Sequence, residues 1–377
     1  MKIIELCTSS GWGGLELYAL NTSNWLQQQG HDCLFVHTPG SLIAERLRKS
    51  KIKPACLQAR FTQFPLIAAW RLARIIEQHQ CDILHVHWTR DLILATLAKC
   101  LSRHKTKLVF IRHMTITRHK RDFYHRFIYQ NIDAFLVITK RMYAEAERFL
   151  PLAKNKIHLL YHGVTQLDCA DQSYCKSFLT DKGITGTQLR VLLPGRIEHG
   201  KGQHILLEAA RQLSQQGIQL EIALMGHIMD QAYFDKLQKK IQSWNLQDHF
   251  HYLGFIDNPT YIFNCFDVIV LTTYAETFGL VLIEGMKCGV PVIGSNAGGV
   301  PEIIEHGRTG LLYEAGDSAG LAACLRQLAD DPELAKKLAR AGQQFADEVF
   351  SEQQHYSKLM QIFLDLTGPS LQQTTLR

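Results

Sequence analysis

Short apolar runs recur along the chain, separated by stretches in which apolar residues return every three to four positions. In the first half the runs are KIIELC (2–7), LFVH (34–37), DILHVHW (82–88), KLVFIRH (107–113) and AFLVIT (134–139). In the second they are LRVLLPG (189–195), LEIALMG (220–226), FHYLGF (250–255), DVIVLTT (267–273), PVIGS (291–295) and TGLLYE (309–314). Strands that are apolar on both faces and joined by amphipathic helices predict parallel sheets covered on both sides. Two such series predict two doubly wound α/β domains. The stretch GVTQLDCADQSYCKSFLTDKG (163–183) loses the strand pattern and turns polar. It places a linker near 164–172 and domains at 1–165 and 166–350. Helical patterns near 318–330, 332–346 and 351–366 exceed what one sheet needs, so the last is expected to pack back on the first domain. The tail PSLQQTTLR is expected to fray. In such sheets ligands bind beyond the carboxyl ends of the strands, and two facing domains would share a cleft.

With 377 residues, 46% of them hydrophobic and 20% charged, the chain can bury two sizeable cores. No run of eighteen apolar residues occurs, and the apolar run at the N-terminus is too short for a secretory signal. The ten cysteines form no C-x-x-C pair, and many lie in apolar runs. Reduced core thiols in a cytoplasmic protein are expected.

Charge divides the chain. Residues 1–165 carry 24 Lys and Arg against 11 Asp and Glu, a net of +13, whereas the remainder carries 17 against 24, a net of −7. Between 103 and 126, RHKTKLVFIRHMTITRHKRDFYHR sets eight basic residues against one acid. Such a surface attracts phosphates, nucleic acid or anionic lipid; a merely solvated basic face is the alternative. Binding to nucleic acid would leave the motifs of the second half without a role.

The candidate chemistry lies at strand ends. SSGWGGLE (9–16) supplies Gly11, Gly13 and Gly14 ahead of a helix, where backbone N–H groups can approach an anion or a sugar. The spacing is not the G-x-G-x-x-G dinucleotide fingerprint, and an ordinary strand-to-helix turn also accounts for it. PGRIEHGKG (194–202) sets Arg196 and Lys201 in a glycine-rich connection suited to a diphosphate, or to plain solvated charges. In IRHMT, His113 follows a buried-looking strand and points toward the expected cleft, or serves as a structural histidine. GSNAGGVPEIIEHGRTGLLY (294–313) places Gly298 and Gly299 between a strand and a helix opened by Pro301 and Glu302. YAETFGLVLIEGM (274–286) puts Glu276 and Glu284 on either side of a glycine-broken apolar run. Were the segment helical throughout, the two carboxylates would lie ~12 Å apart along the axis, wider than a glycosidase acid/base pair.

Taken in this order, GWGGLE, LHVH, GRIEHGKG, HYLGF, AETFGLVLIEGM and NAGGVPEII...GRTGLL resemble the retaining GT-B glycosyltransferases of glycosyltransferase family 4, over nearly the whole chain. The resemblance implies two Rossmann-like doubly wound parallel-sheet domains facing a cleft. The first would bind the acceptor and the second a nucleotide-sugar donor. Arg196 and Lys201 would hold the donor diphosphate and Glu284 the ribose. Glu276, with the backbone of Phe278, Gly279 and Leu280, would hold the transferred sugar. Thr277 stands where a serine is frequent in the family and keeps the hydroxyl. Ile256 would meet the base through its backbone, Gly13 and Gly14 would approach the diphosphate and sugar, and His113 would contact the sugar. The two glutamates then grip successive parts of one extended ligand.

The expected activity is metal-independent, retaining hexosyl transfer, with no cofactor beyond the donor. No Asp-x-Asp triplet is present to hold a cation on the diphosphate. The basic first domain suggests an anionic glycan or glycolipid acceptor of the cell envelope, such as a lipopolysaccharide core. Arg118, Lys120, Arg121 and Arg126 would meet that acceptor, or an anionic membrane at whose inner face the protein sits peripherally. A nucleotide-sugar epimerase of the same architecture is the alternative.

Overall fold

The computed structural model describes residues 1–58 and 65–368. The tail 369–377, expected to fray, lies outside the described residues. The chain divides into two compact units, Met1–Tyr161 joined by the residues from Tyr356 onward, and His162–His355. These boundaries fall a few residues from the expected ones, and the final helix, Glu352–Thr367, belongs to the first unit from Tyr356 on.

The first unit holds seven parallel strands: β1 (Lys2–Cys7), β2 (Asp32–His37), β3 (Lys53–Cys56), β4 (Ile83–Val86), β5 (Lys107–Arg112), β6 (Ala134–Val137) and β7 (Ile157–Leu159). They run in the order β3-β2-β1-β4-β5-β6-β7, the doubly wound arrangement whose switch point lies between β1 and β4. The interior strands β4 and β6 are wholly buried; β6 is apolar throughout, whereas β4 carries the polar His85. The runs missed in the sequence, β3 and β7, are the two edges. Lys53-Pro54-Ala55-Cys56 is largely exposed, and Pro54 suits an edge because it has no N–H to give a further strand. Helix starts are fixed locally: Asp122 accepts from the His125 amide to open Phe123–Gln130, and Thr139 accepts from the Met142 amide to open Lys140–Phe149.

The second unit holds six parallel strands: β8 (Leu189–Pro194), β9 (Leu220–Met225), β10 (Phe250–Tyr252), β11 (Val268–Leu271), β12 (Val292–Ser295) and β13 (Leu311–Tyr313), in the order β10-β9-β8-β11-β12-β13. Its switch point lies between β8 and β11. Val191, Leu193, Ile222, Leu224, Val268, Val270 and Ile293 project from the sheet into one core, closed by Ile205, Leu206 and Leu213 of the helix Gln203–Ser214 and by Leu321, Leu325 and Leu328 of the helix Ser318–Asp330.

One expectation is corrected here. Cys175 and Cys265 form a disulfide across 90 residues of sequence. Their spacing carries no signal; the bond arises because the helix Gln172–Asp181 packs on the 3-10 segment Pro259–Cys265. Core thiols remain only at Cys7, Cys33, Cys81 and Cys324, while Cys56 and Cys100 are exposed. No helix among the described residues is long and apolar enough to cross a membrane.

Candidate functional site

The carboxyl ends of β8, β9 and β11 open onto a cavity of about 390 Å³ in the second unit. Arg196, Lys201, Ile256, Glu276, Gly279, Leu280 and Glu284, seven of the residues singled out in the sequence, all line it. Loop chemistry brings them together. Gly202 has φ 71°, and a Cβ there would stand 2.1 Å from the Thr272 carbonyl oxygen, so only glycine lets this turn lie against the end of β11. The Thr272 hydroxyl then donates to the Lys201 carbonyl (2.7 Å) and the Thr273 hydroxyl to that of Gly200 (3.1 Å). The buried Gln203 donates to the Arg196 carbonyl at 2.9 Å. This stitching carries Lys201 from one loop to Glu276 on another.

Both cations are already paired. Lys201 Nζ lies 2.9 Å from Glu276 Oε2, and an Arg196 guanidinium nitrogen lies 2.9 Å from Glu198 Oε1. The other Glu276 oxygen accepts from the Thr277 amide at 3.2 Å. The Glu276 backbone is fixed from behind: Gly299 N–H donates to its carbonyl at 2.9 Å, and Gly298, at φ 62°, lies so close that a Cβ would fall 1.7 Å from that oxygen. The paired glycines of SNAGG therefore support the Glu276 loop. The helix expected after them is only a three-residue 3-10 turn, Val300–Glu302.

Gly279, at φ 107°, ends the loop and starts the helix Leu280–Lys287, so Glu276 lies outside the helix and Glu284 within it. Phe278 is buried against His162 and Phe350 and anchors the turn; neither it nor Thr277 is among the residues that line the cavity. Glu284 shares the cavity wall with Ile256, Pro259 and Phe263, and burial pushes its carboxyl up to about 7. Among the lining residues given no role from the sequence are two aromatic ones: the rings of His227 and Phe255 stack with centroids 4.1 Å apart beside Ile256. The aromatic in HYLGF was their only signal.

In the first unit Gly13 caps and Gly14 opens the helix Gly14–Gln28. His113 follows β5, and its ring packs 5.0 Å from that of Tyr18 on this helix, so the GWGG and IRHMT turns flank one aromatic residue. The four basic candidates differ from one another. Arg118 and Arg126 are exposed, Arg121 is exposed and donates to the Arg148 carbonyl at 2.9 Å, and Lys120 is half-buried, its Nζ 3.5 Å from the Tyr129 hydroxyl. Burial, with Arg112 and Arg118 nearby, pushes the Lys120 ammonium down.

Among the described residues one trio groups three metal-type donors: Glu5, His85 and His87, within 4.8 Å of one another and fully buried. Glu5 and His85 are register partners on β1 and β4, and His87 lies two residues further on the same face. Both rings turn a nitrogen to the Glu5 carboxylate, His85 Nδ1 at 3.1 Å and His87 Nε2 closer still. Burial holds the His87 ring neutral, down to about 4. A metal-bound histidine gives its second nitrogen to an acceptor. Here His85 Nε2 and His87 Nδ1 have no hydrogen-bond partner, so the trio fits a carboxylate satisfied by two ring N–H donors better than a metal site.

Comparison with known proteins agrees with this geometry. The Glycosyltransferase Family 4 profile matches residues 12–166 and the profile "Glycosyl transferases group 1" matches residues 178–345. Together they span most of the chain, which belongs to the GT-B glycosyltransferases of family 4. The N-acetyl-alpha-D-glucosaminyl L-malate synthase of Bacillus anthracis is 26% identical over 374 residues, covering 94% of each chain. Among solved structures, the Anabaena protein HepE in complex with UDP superposes with a TM-score of 0.85 at 21% identity, covering 96% of this chain and 99% of that one. A glycosyltransferase from Rickettsia africae superposes with a TM-score of 0.88 at 20% identity, covering 98% and 99%. The chain is a glycosyltransferase.

Proposed function

We propose that the protein transfers a hexosyl group, with retention and without a metal ion, from a UDP-sugar to an anionic glycan or glycolipid of the cell envelope. The observation that carries the donor half is the single cavity that gathers Arg196, Lys201, Glu276 and Glu284. In this reading the diphosphate takes up Arg196 and Lys201, and the displaced Glu276 carboxylate accepts hydroxyls of the sugar. Glu284 accepts the ribose hydroxyls, whose hydrogen bonds favour its charged form and offset its burial. The uracil lies beside Ile256, with the stacked His227 and Phe255 as an aromatic wall. The first turn of Leu280–Lys287 adds N–H groups aimed at the phosphates.

As the sugar departs, charge grows on the diphosphate, and two preorganised cations stabilise it, the work a divalent cation would otherwise do. The acceptor hydroxyl attacks from the face that the leaving group vacates and passes its proton to a donor phosphate oxygen. UDP as the nucleotude carrier draws support from the bound UDP of HepE. An anionic acceptor draws support from the basic first unit and from the malate named in the Bacillus relative.

Thermal-shift screening with UDP, GDP and ADP, then their sugars, tests the reading. UDP at 100 times its dissociation constant adds ~2.7 kcal/mol to the stability of the unit that binds it. Stabilisation by GDP or ADP alone overturns the UDP assignment, and turnover abolished by EDTA overturns metal independence.

A further inference from the structure

Four cysteines bracket one wall of the donor cavity. That wall is the 3-10 segment Pro259–Cys265, whose Pro259 and Phe263 face the cavity. At its far end Cys265 is bonded to Cys175. At its near end the Cys288 thiol donates to the Thr260 carbonyl at 3.5 Å. The chain just before Cys175 runs along the same segment: Ala170 N–H donates to the Tyr261 carbonyl at 2.8 Å, and Asn264 Nδ2 donates to the Ala170 carbonyl at 2.5 Å. Cys169, the residue before Ala170, is thereby held against the segment that also holds Cys288, close enough for its thiol to act on that of Cys288. Both are partly exposed, unlike the core thiols.

We propose that Cys169 and Cys288 are a dithiol site that a small-molecule disulfide, such as oxidised glutathione, converts to a second cross-link. It lies at the end of the helix that carries Glu284, four residues before Cys288. Burial, and then the adjoining Cys169 thiol, keep Cys288 protonated, which leaves Cys169 to open the exchange. The Cys169 thiolate attacks one glutathione sulfur; a protein–glutathione S–S bond forms as the glutathione S–S bond breaks, and one glutathione leaves as a thiolate that takes up a proton. Cys288 then gives up its proton, attacks Cys169 Sγ and displaces the second glutathione. The two protein thiols lose two electrons and two protons, and one small disulfide becomes two thiols. The closed pair joins the entry of the second unit to the end of the Glu284 helix, so the two segments that hydrogen-bond to the near end of the cavity wall become cross-linked. This chemistry does not depend on which nucleotide the cavity takes.

The test uses the full-length folded protein, incubated with oxidised glutathione, trapped with iodoacetamide and mapped by mass spectrometry without reduction. The expected product is a peptide pair joining Cys169 to Cys288, lighter by two hydrogen atoms than the two thiol peptides. It is lost in Cys169→Ser and in Cys288→Ser. Should Cys288→Ser fold poorly, Cys169→Ser decides, because its chain is only tethered to the segment by hydrogen bonds. The proposal is overturned if both cysteines emerge alkylated, if each carries its own glutathione, or if Cys169 is joined to Cys175 or Cys265 instead.

Discussion

Glu284→Gln is expected to make the second unit more stable, by an amount that grows as pH rises from about 4.5 to about 7 and is nearly complete above that. The carboxyl is raised from its ordinary 4.5 to about 7 because cavity and helix take it out of water. A carboxyl raised in the folded state contributes fully below the unfolded value and loses that contribution as pH climbs through the folded one, since the unfolded chain releases its proton earlier. Full expression of this change costs about 3 kcal/mol at pH 8.5, and water in the open cavity reduces it to about 2 kcal/mol. At pH 5 the same bookkeeping gives under about 1 kcal/mol. Glutamine keeps the size and cannot ionise, so the variant should exceed the parent by about 2 kcal/mol at pH 8.5 and nearly match it at pH 5. Urea unfolding at both pH values, following the transition that shifts with added UDP, measures this. A difference between variant and parent that is the same at both pH values refutes the raised carboxyl.

Three other outcomes follow from the site. Arg196→Ala and Lys201→Ala should each lower kcat by ~100- to 1,000-fold with the fold intact, checked by steady-state kinetics and circular dichroism; near-normal turnover in both places the diphosphate elsewhere. Glu284→Ala should weaken binding of free UDP, while Glu276→Ala should mainly impair transfer from the intact donor, which calorimetry and kinetics separate. The split assignment fails if both lose nucleotide affinity equally. Reversing Arg118, Lys120 and Arg121 to glutamate should abolish salt-sensitive binding to anionic vesicles or a phosphorylated acceptor at unchanged UDP affinity, each cation being worth roughly 1 kcal/mol near such a surface. Binding equal to the parent's removes the anionic-acceptor reading. Since Lys120 leans on Tyr129, most of that loss should come from Arg118 and Arg121.

Eleven of the thirteen strands were readable because buried parallel strands are apolar on both faces, and the second unit's cavity was readable because its cations and carboxylates sit at their ends. The first sheet's edges β3 and β7 were not, since KPAC and IHL are short and broken by polar residues or proline. Long-range pairing escaped as well. Nothing local joins Cys175 to Cys265 or Glu5 to the two histidines of LHVH; both arise only once distant segments pack. The Lys201–Glu276 ion pair is of the same kind: the residues were each recognised, but their mutual contact depends on Gly202 closing against Thr272. What a motif shows is which groups line a site, and what it hides is which of them hold one another before a ligand arrives.

The account stands most directly on where the donor binds, which hydrogen exchange with and without saturating UDP reports residue by residue. Slower exchange is predicted at the amides of 195–202, 254–256 and 277–284, the cavity's own loops and helix start, with the disulfide-linked helix Gln172–Asp181 unchanged. Saturating binding of UDP that leaves these three stretches unprotected, or protects only the first unit, would contradict it.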